Sequence, residues 1–300
     1  MKLATLVMTV VAILIFFGSC TKEQAHIENI TTISATEISE ILQFPDRKLP
    51  VELEAERSRL SAKEQLLYDE YLLKILNYKE FTAKFESEDF TWTDFYRIKR
   101  AILEDYPECY LFLYTNVMEW DFEENPSAIK IGYKYGWIYS ETFSKDFMNS
   151  YLEKIDKVCE EIIANMPNDI TVAEKYEFLA REICFRTKYI DKSYDLNSTN
   201  YDISHLYLNG PLLNGEGICQ SYTFAYEYLC HKAGLWCTIV ESNGHAWNMV
   251  MLENGLTYHV DVTWCDDVNL NFTKFYFLLT QEEIEKDHSP HEGEWIATGN

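Results

Sequence analysis

Segment 215–264 leaves this chain few folds to choose from. It opens on a glycine-rich turn, Gly215-Glu216-Gly217-Ile218-Cys219. Apolar residues at helical spacing follow, namely Tyr222, Ala225, Tyr226, Leu229 and Ala233, with Gly234 as a stop. Three strand-like runs come next, 235–241, 245–252 and 256–264, separated by Ser242-Asn243-Gly244 and Glu253-Asn254-Gly255. Asn and Gly at such breaks supply left-handed backbone at little cost, so the pattern reads as one helix and an antiparallel meander.

The same segment carries a thiol, an imidazole and a carboxylate. Cys219 falls on the first turn of the helix, where unpaired N–H groups and the positive dipole end favour negative charge and can hold an oxyanion. A three-residue loop at Glu253-Asn254-Gly255, with Gly255 left-handed, sets Leu252 opposite Leu256 and Trp247 opposite Asp261. His245 then lies diagonal to Asp261 on one sheet face. A two-residue Asn254-Gly255 loop would put them on opposite faces. His259 shares the strand parity of Asp261 and competes with His245 as a base.

These residues carry a resemblance. The runs Gly215-Glu216-Gly217-Ile218-Cys219-Gln220-Ser221-Tyr222, His245-Ala246-Trp247-Asn248 and Tyr258-His259-Val260-Asp261-Val262-Thr263-Trp264 are similar to the bacterial transglutaminase-like superfamily over about 209–279. The resemblance implies an α+β, papain-like transglutaminase core, a nucleophile helix packed on an antiparallel sheet. It implies Cys219 as nucleophile, His245 as base and later acid, and Asp261 as the group that fixes the imidazole. A side-chain oxyanion donor is also implied, for which Gln220 and Asn214 are the available amides. Trp247 and Trp264 are candidate cleft walls. One departure is Cys265, which precedes Asp266 where many relatives continue directly with Asp.

The expected function is a thiol-dependent acyl-transfer enzyme acting on peptide amide bonds, a peptidase or amidase if water is the acceptor and a transglutaminase if an amine is. The competing reading is a catalytically silent peptide-binding or scaffold lipoprotein using the same cleft. No cofactor is expected: no calcium-loop pattern is visible, and His288 and His291 read as loop residues without a third ligand nearby.

At the amino terminus Lys2 precedes an apolar run, 3–17, and then Gly18-Ser19-Cys20. This resembles a bacterial lipoprotein signal, with Phe17 where an aliphatic residue is usual. It implies lipid attachment at Cys20 and an extracytoplasmic, membrane-anchored chain; an ordinary cleaved signal would make it secreted. The run is short for a bilayer span. A net charge of −23 over 300 residues argues against nucleic acid as a partner and leaves a protein or peptide substrate.

The expected organisation is a signal at 1–19, a polar flexible tether at 20–57, a smaller mixed α/β region at 58–142 and the catalytic domain at 143–300. Ser61 with Glu64 and Thr171 with Glu174 are capping boxes that start helices. The first helix carries the apolar stripe Leu66, Leu67, Tyr71, Ile75 and Tyr78. Further helices are expected at 93–105 and 144–165, and strands at 109–120 and 128–135. Of the cysteines other than Cys20 and Cys219, Cys230, Cys237 and Cys265 are candidates for pairing, with buried free thiols the preferred reading.

Overall fold

The computed structural model describes residues 24–25, 48–76, 81–84, 90–109, 118–120, 128–131, 145–190, 207–266, 272–289 and 295–299. The expected signal, Cys20 and most of the expected tether lie outside them. No helix among the described residues is long and apolar enough to cross a membrane.

In chain order the main elements are α1 (Ala55–Ser58), α2 (Ala62–Leu76), β1 (Phe81–Lys84), α3 (Trp92–Asp105), β2 (Met118–Trp120), β3 (Ala128–Ile131), α4 (Lys145–Ala164) and α5 (Val172–Arg186). They continue with α6 (Cys219–Lys232), β4 (Cys237–Ser242), β5 (His245–Met251), β6 (Thr257–Val260), α7 (Val262–Cys265), β7 (Phe277–Leu279) and α8 (Gln281–Ile284). The fold is mixed α and β. Its centre is an antiparallel sheet in the order β7-β6-β5-β4, and β1, β3 and β2 form a smaller sheet with β3 in the middle.

Local chemistry explains several of these starts and stops. Thr171 and Glu174 cap α5 reciprocally, and Ser61 and Glu64 do the same for α2. Between β5 and β6 the register pairs Met251 with Thr257 and Asn248 with Val260. Leu252 bonds to Leu256, and Gly255 adopts a φ of 76°. The three-residue loop is thus the one formed.

Helix α6 is central. Every residue from Ser221 to His231 is buried, so α6 is enclosed on all sides rather than amphipathic. Each large apolar side chain it buries, such as Tyr226 or Leu229, contributes about 1.5–3 kcal/mol. It packs on one face of the large sheet, while the other face is covered by Ile284, Trp295 and Ala297 against Val240, Trp247 and Met249.

Four expectations change. Strand β6 ends at Val260 instead of running to 264, because Asp261 turns to cap α7. Cys109 is not the start of a strand: it is buried at the turn after α3, its N–H bonded to Tyr106 O at 2.8 Å. Leu66, expected in the buried stripe of α2, is exposed. Finally, the end of the expected tether is packed: Leu53, Glu54, Ala55 and Glu56 are buried, and Glu56 Oε1 accepts from Thr238 of β4 at 3.0 Å and from the Trp295 indole. One hydrophobic cluster joins Tyr68 and Ile102 to Leu152, Tyr222 and Phe277, across the boundary expected near 143.

The described cysteines are all free thiols, and all but Cys219 are buried.

Candidate active site

Two glycines shape the approach to α6. Gly215 closes the turn Gly210–Asn214 with a φ of 74°, a left-handed conformation that glycine adopts without strain. At Gly217 a Cβ would lie 2.5 Å from Ser221 Oγ and 3.3 Å from Pro211 and Tyr222 side-chain carbons, so a side chain there displaces its neighbours. Ser221 uses that space. Its hydroxyl accepts from Ile218 N and donates to Ile218 O, each at 2.9 Å. Cys219 therefore becomes the first residue of α6, ahead of the first helical bond from Tyr222 N to Ile218 O. The Cys219 amide has no acceptor within the helix.

The motif of β5 ties this helix start to the sheet. The Thr223 hydroxyl lies 2.9 Å from the carbonyls of both Cys219 and Ala246. The Asn248 amide donates to Thr223 O at 3.2 Å. Alternation along the strand aims Ala246 and Asn248 at α6, while Trp247 and Met249 enter the cluster on the opposite face. Tyr222 anchors α6 from another side, its hydroxyl 2.7 Å from Asp266 and 3.2 Å from Thr187 O.

His245 opens β5 and stands between two partners. Its Nε2 lies 2.6 Å from Asp261 Oδ2, and a hydrogen bond to Cys219 is among the influences on the same imidazole. Burial is the largest influence on this imidazole and lowers its pKa. The hydrogen bonds to Asp261 and Cys219, with their charge, outweigh it and raise the value to about 10. At neutral pH the imidazolium is then the stable form.

Asp261 is fully buried. Burial pushes its carboxyl up, but hydrogen bonds from His245 and His288 and from the backbone of Trp264 hold it below the usual carboxylate range. The Trp264 N–H reaches Asp261 Oδ1 at 3.0 Å, and Asp261 N donates to Tyr276 O at 2.9 Å. Both carboxylate oxygens and the backbone are thus fixed.

The remaining expected residues separate by position. Trp247 is buried, stacked under His245 at 5.9 Å between ring centroids, and donates to His259 Nδ1 at 3.0 Å. Trp264 is 41% exposed and lies 5.5 Å from the His245 ring. Gln220 is half-buried on the first turn of α6, and Asn214 is exposed at the end of the turn before Gly215. His259 does not compete for Asp261: its nitrogens face Trp247 and, at 2.9 Å, Gln281, and burial depresses its pKa.

His288 lies in the loop after α8, as the sequence suggests, but it is not an idle surface residue. It is buried, and its Nε2 lies 3.0 Å from Asp261 Oδ2 while its Nδ1 lies 2.7 Å from Asp287 Oδ1. Nothing in the spacing pointed to it, because it follows Asp261 by 27 residues and enters from the turn after α8. His245, Asp261 and His288 each offer a ligand atom within 4.8 Å of the others, close enough for one metal ion. This overturns the expectation that no third ligand lies near His288. The same atoms are joined by hydrogen bonds, so an ion there would displace the protons that link them. His291 lies outside the described residues.

No family model and no curated protein matches the chain. Among solved structures the chain is similar to one described as a crystal structure of a TGase, at 15% identity and a TM-score of 0.33. That match covers 49% of this chain and 43% of the other, less than half of its length.

Proposed function

We propose that this chain is an extracytoplasmic thiol-dependent acyl-transfer enzyme with a papain-like transglutaminase core, acting on peptide amide bonds through Cys219, His245 and Asp261. The single observation that carries the reading is the His245 imidazole, which bridges the helix-start thiol and a fully buried carboxylate. Attachment of lipid at Cys20 would hold the enzyme at a membrane surface.

The chemistry follows from those contacts. The Cys219 sulfur attacks the amide carbonyl carbon, and the C=O electron pair moves to oxygen, where the Cys219 N–H at the helix start is positioned as a donor. Collapse breaks the C–N bond as His245 gives its proton to the leaving amine, leaving a thioester on Cys219. Water or a second amine then attacks the thioester carbonyl and passes a proton to His245. The C–S bond breaks and returns the sulfur to its starting state. Asp261 keeps the imidazole in the orientation both transfers need.

Alkylation of the full chain with iodoacetamide at mildly acidic pH tests the nucleophile. The expected outcome is fast, selective modification of Cys219 that is lost in His245→Ala; modification no faster than that of a free cysteine sinks the reading. A glutamine peptide offered with and without a primary amine separates the two acceptors by product mass. Mass spectrometry of the mature amino terminus tests the anchor, and an unmodified start near Thr21 refutes it.

A further inference from the structure

His288 meets carboxylates at both ends. Its side chain is 2% exposed, its Nε2 is 3.0 Å from Asp261 Oδ2 and its Nδ1 is 2.7 Å from Asp287 Oδ1. Ionised carboxylate oxygens only accept hydrogen bonds, so both contacts are hydrogen bonds when both ring nitrogens carry protons. The backbone fixes the ring from behind through His288 N to Ile284 O at 2.9 Å. Trp247 and Trp264 bracket it, with ring centroids at 4.8 and 4.4 Å. Asp287 is itself held, accepting from the Tyr276 hydroxyl at 2.6 Å, and it is 40% exposed. The chain of contacts from the sulfur to solvent is therefore Cys219, His245, Asp261, His288, Asp287 and Tyr276.

We infer that His288 is a positioning residue of the proposed active site: held between Asp261 and Asp287, it keeps the buried Asp261 carboxylate ionised and aimed at His245. The inference rests on the reading of Cys219 as the nucleophile. Asp261 Oδ2 is shared by two imidazoles, and its other oxygen is taken by the Trp264 amide. Removing one of these hydrogen bonds from a carboxylate with no exposure leaves desolvation less opposed. His245 then loses part of its counter-charge, and with it the population of the reactive sulfur. Facing His288 are Asp261, Asp287, Tyr276 and His245, with His259 also near; Cys184 and Cys265 are the titratable groups beside Asp261 from α5 and α7.

The test is the pH profile of Cys219 alkylation by iodoacetamide in the full chain. In His288→Phe, which has no donor, the rate at about pH 6 should fall about tenfold and the acidic limb should move up by about one unit. His288→Gln, which restores an uncharged donor toward Asp261, should recover part of that loss, an outcome that repacking alone does not give. Asp287→Asn, altered at a solvent-facing group, should shift the limb in the same direction by less. A folded His288→Phe with the wild-type profile overturns the inference. If His288→Phe does not fold, nitrogen NMR of the wild-type imidazole at neutral pH decides: two protonated nitrogens support it, and a neutral ring overturns it. The two failures are distinguishable. Ordinary reactivity of Cys219 in the wild type removes the nucleophile reading, whereas an activated Cys219 indifferent to His288 removes only this one.

Discussion

Asp105 and Asp261 are both aspartates with almost no exposure and several hydrogen-bond donors, yet their protons behave in opposite ways. Asp105, at the end of α3, accepts from Glu56 N at 2.8 Å, Arg57 N at 2.9 Å and the Tyr68 hydroxyl at 2.6 Å. Burial still dominates there and pushes its carboxyl up to about 8. Asp261 suffers the same burial but is held below the ordinary range by two imidazoles. Glu227 completes the series: fully buried on α6, with neither carboxylate oxygen bonded among the described residues, it is pushed far up. Uncharged donors soften the burial of a carboxylate; a cationic donor, the His245 imidazolium, reverses it. The region under the N-terminal helices stores neutral acids, whereas the candidate site keeps an anion.

The sharpest way to break this contrast is to neutralise the anion. Asp261→Asn keeps the shape of the side chain and removes its charge, and turnover of the peptide substrate should fall on the order of 10⁴-fold with the fold intact by circular dichroism. Near wild-type turnover would place Asp261 among the structural acids.

Asp105→Asn probes the other side. The folded-state pKa lies above the unfolded value of 3.8, so Asp105 stabilises the fold most below about pH 4 and progressively less as pH rises through about 8. Thermal melts at about pH 5 and pH 8.5 should show a smaller drop for Asp105→Asn than for the wild type. An unchanged drop would mean that the three donors keep Asp105 ionised.

Glu227→Met should have the smallest effect. Exchanging an unpaired buried acid for an apolar side chain of similar volume should raise Tm by about 2–4 °C at neutral pH, equivalent to about 1 kcal/mol in a chain of this size. A lowered Tm would reveal a partner for Glu227.

What was legible in the sequence was local. The capping boxes, the hairpin register and the left-handed Gly255 depend on residues a few positions apart, and each formed as read. The register that sets His245 beside Asp261 and the helix start at Cys219 were both of this local kind. Burial of segment 53–56 was not readable, since it depends on bonds from Glu56 to residues 182 and 239 positions away. His288 escaped for the same reason: its place is set by the turn after α8 folding back over Trp247 and Trp264. The end of β6 at Val260 shows a subtler failure. The apolar run continued, but one carboxylate found a backbone N–H three residues ahead and started a helical turn.

Among the described residues the distribution of sulfur leaves a single open thiol. Six of the seven described cysteines are buried, and Cys219 alone is partly open, beside a cationic imidazole. Peroxide would therefore meet one atom first, converting it to a sulfenic acid. No other described thiol is exposed to resolve that product as a disulfide. Recovery then depends on a reductant from solution, and without one oxidation proceeds to the irreversible sulfinic acid. Under the proposed chemistry, the fold protects its own thiols and leaves the catalyst's fate to the reducing power outside it.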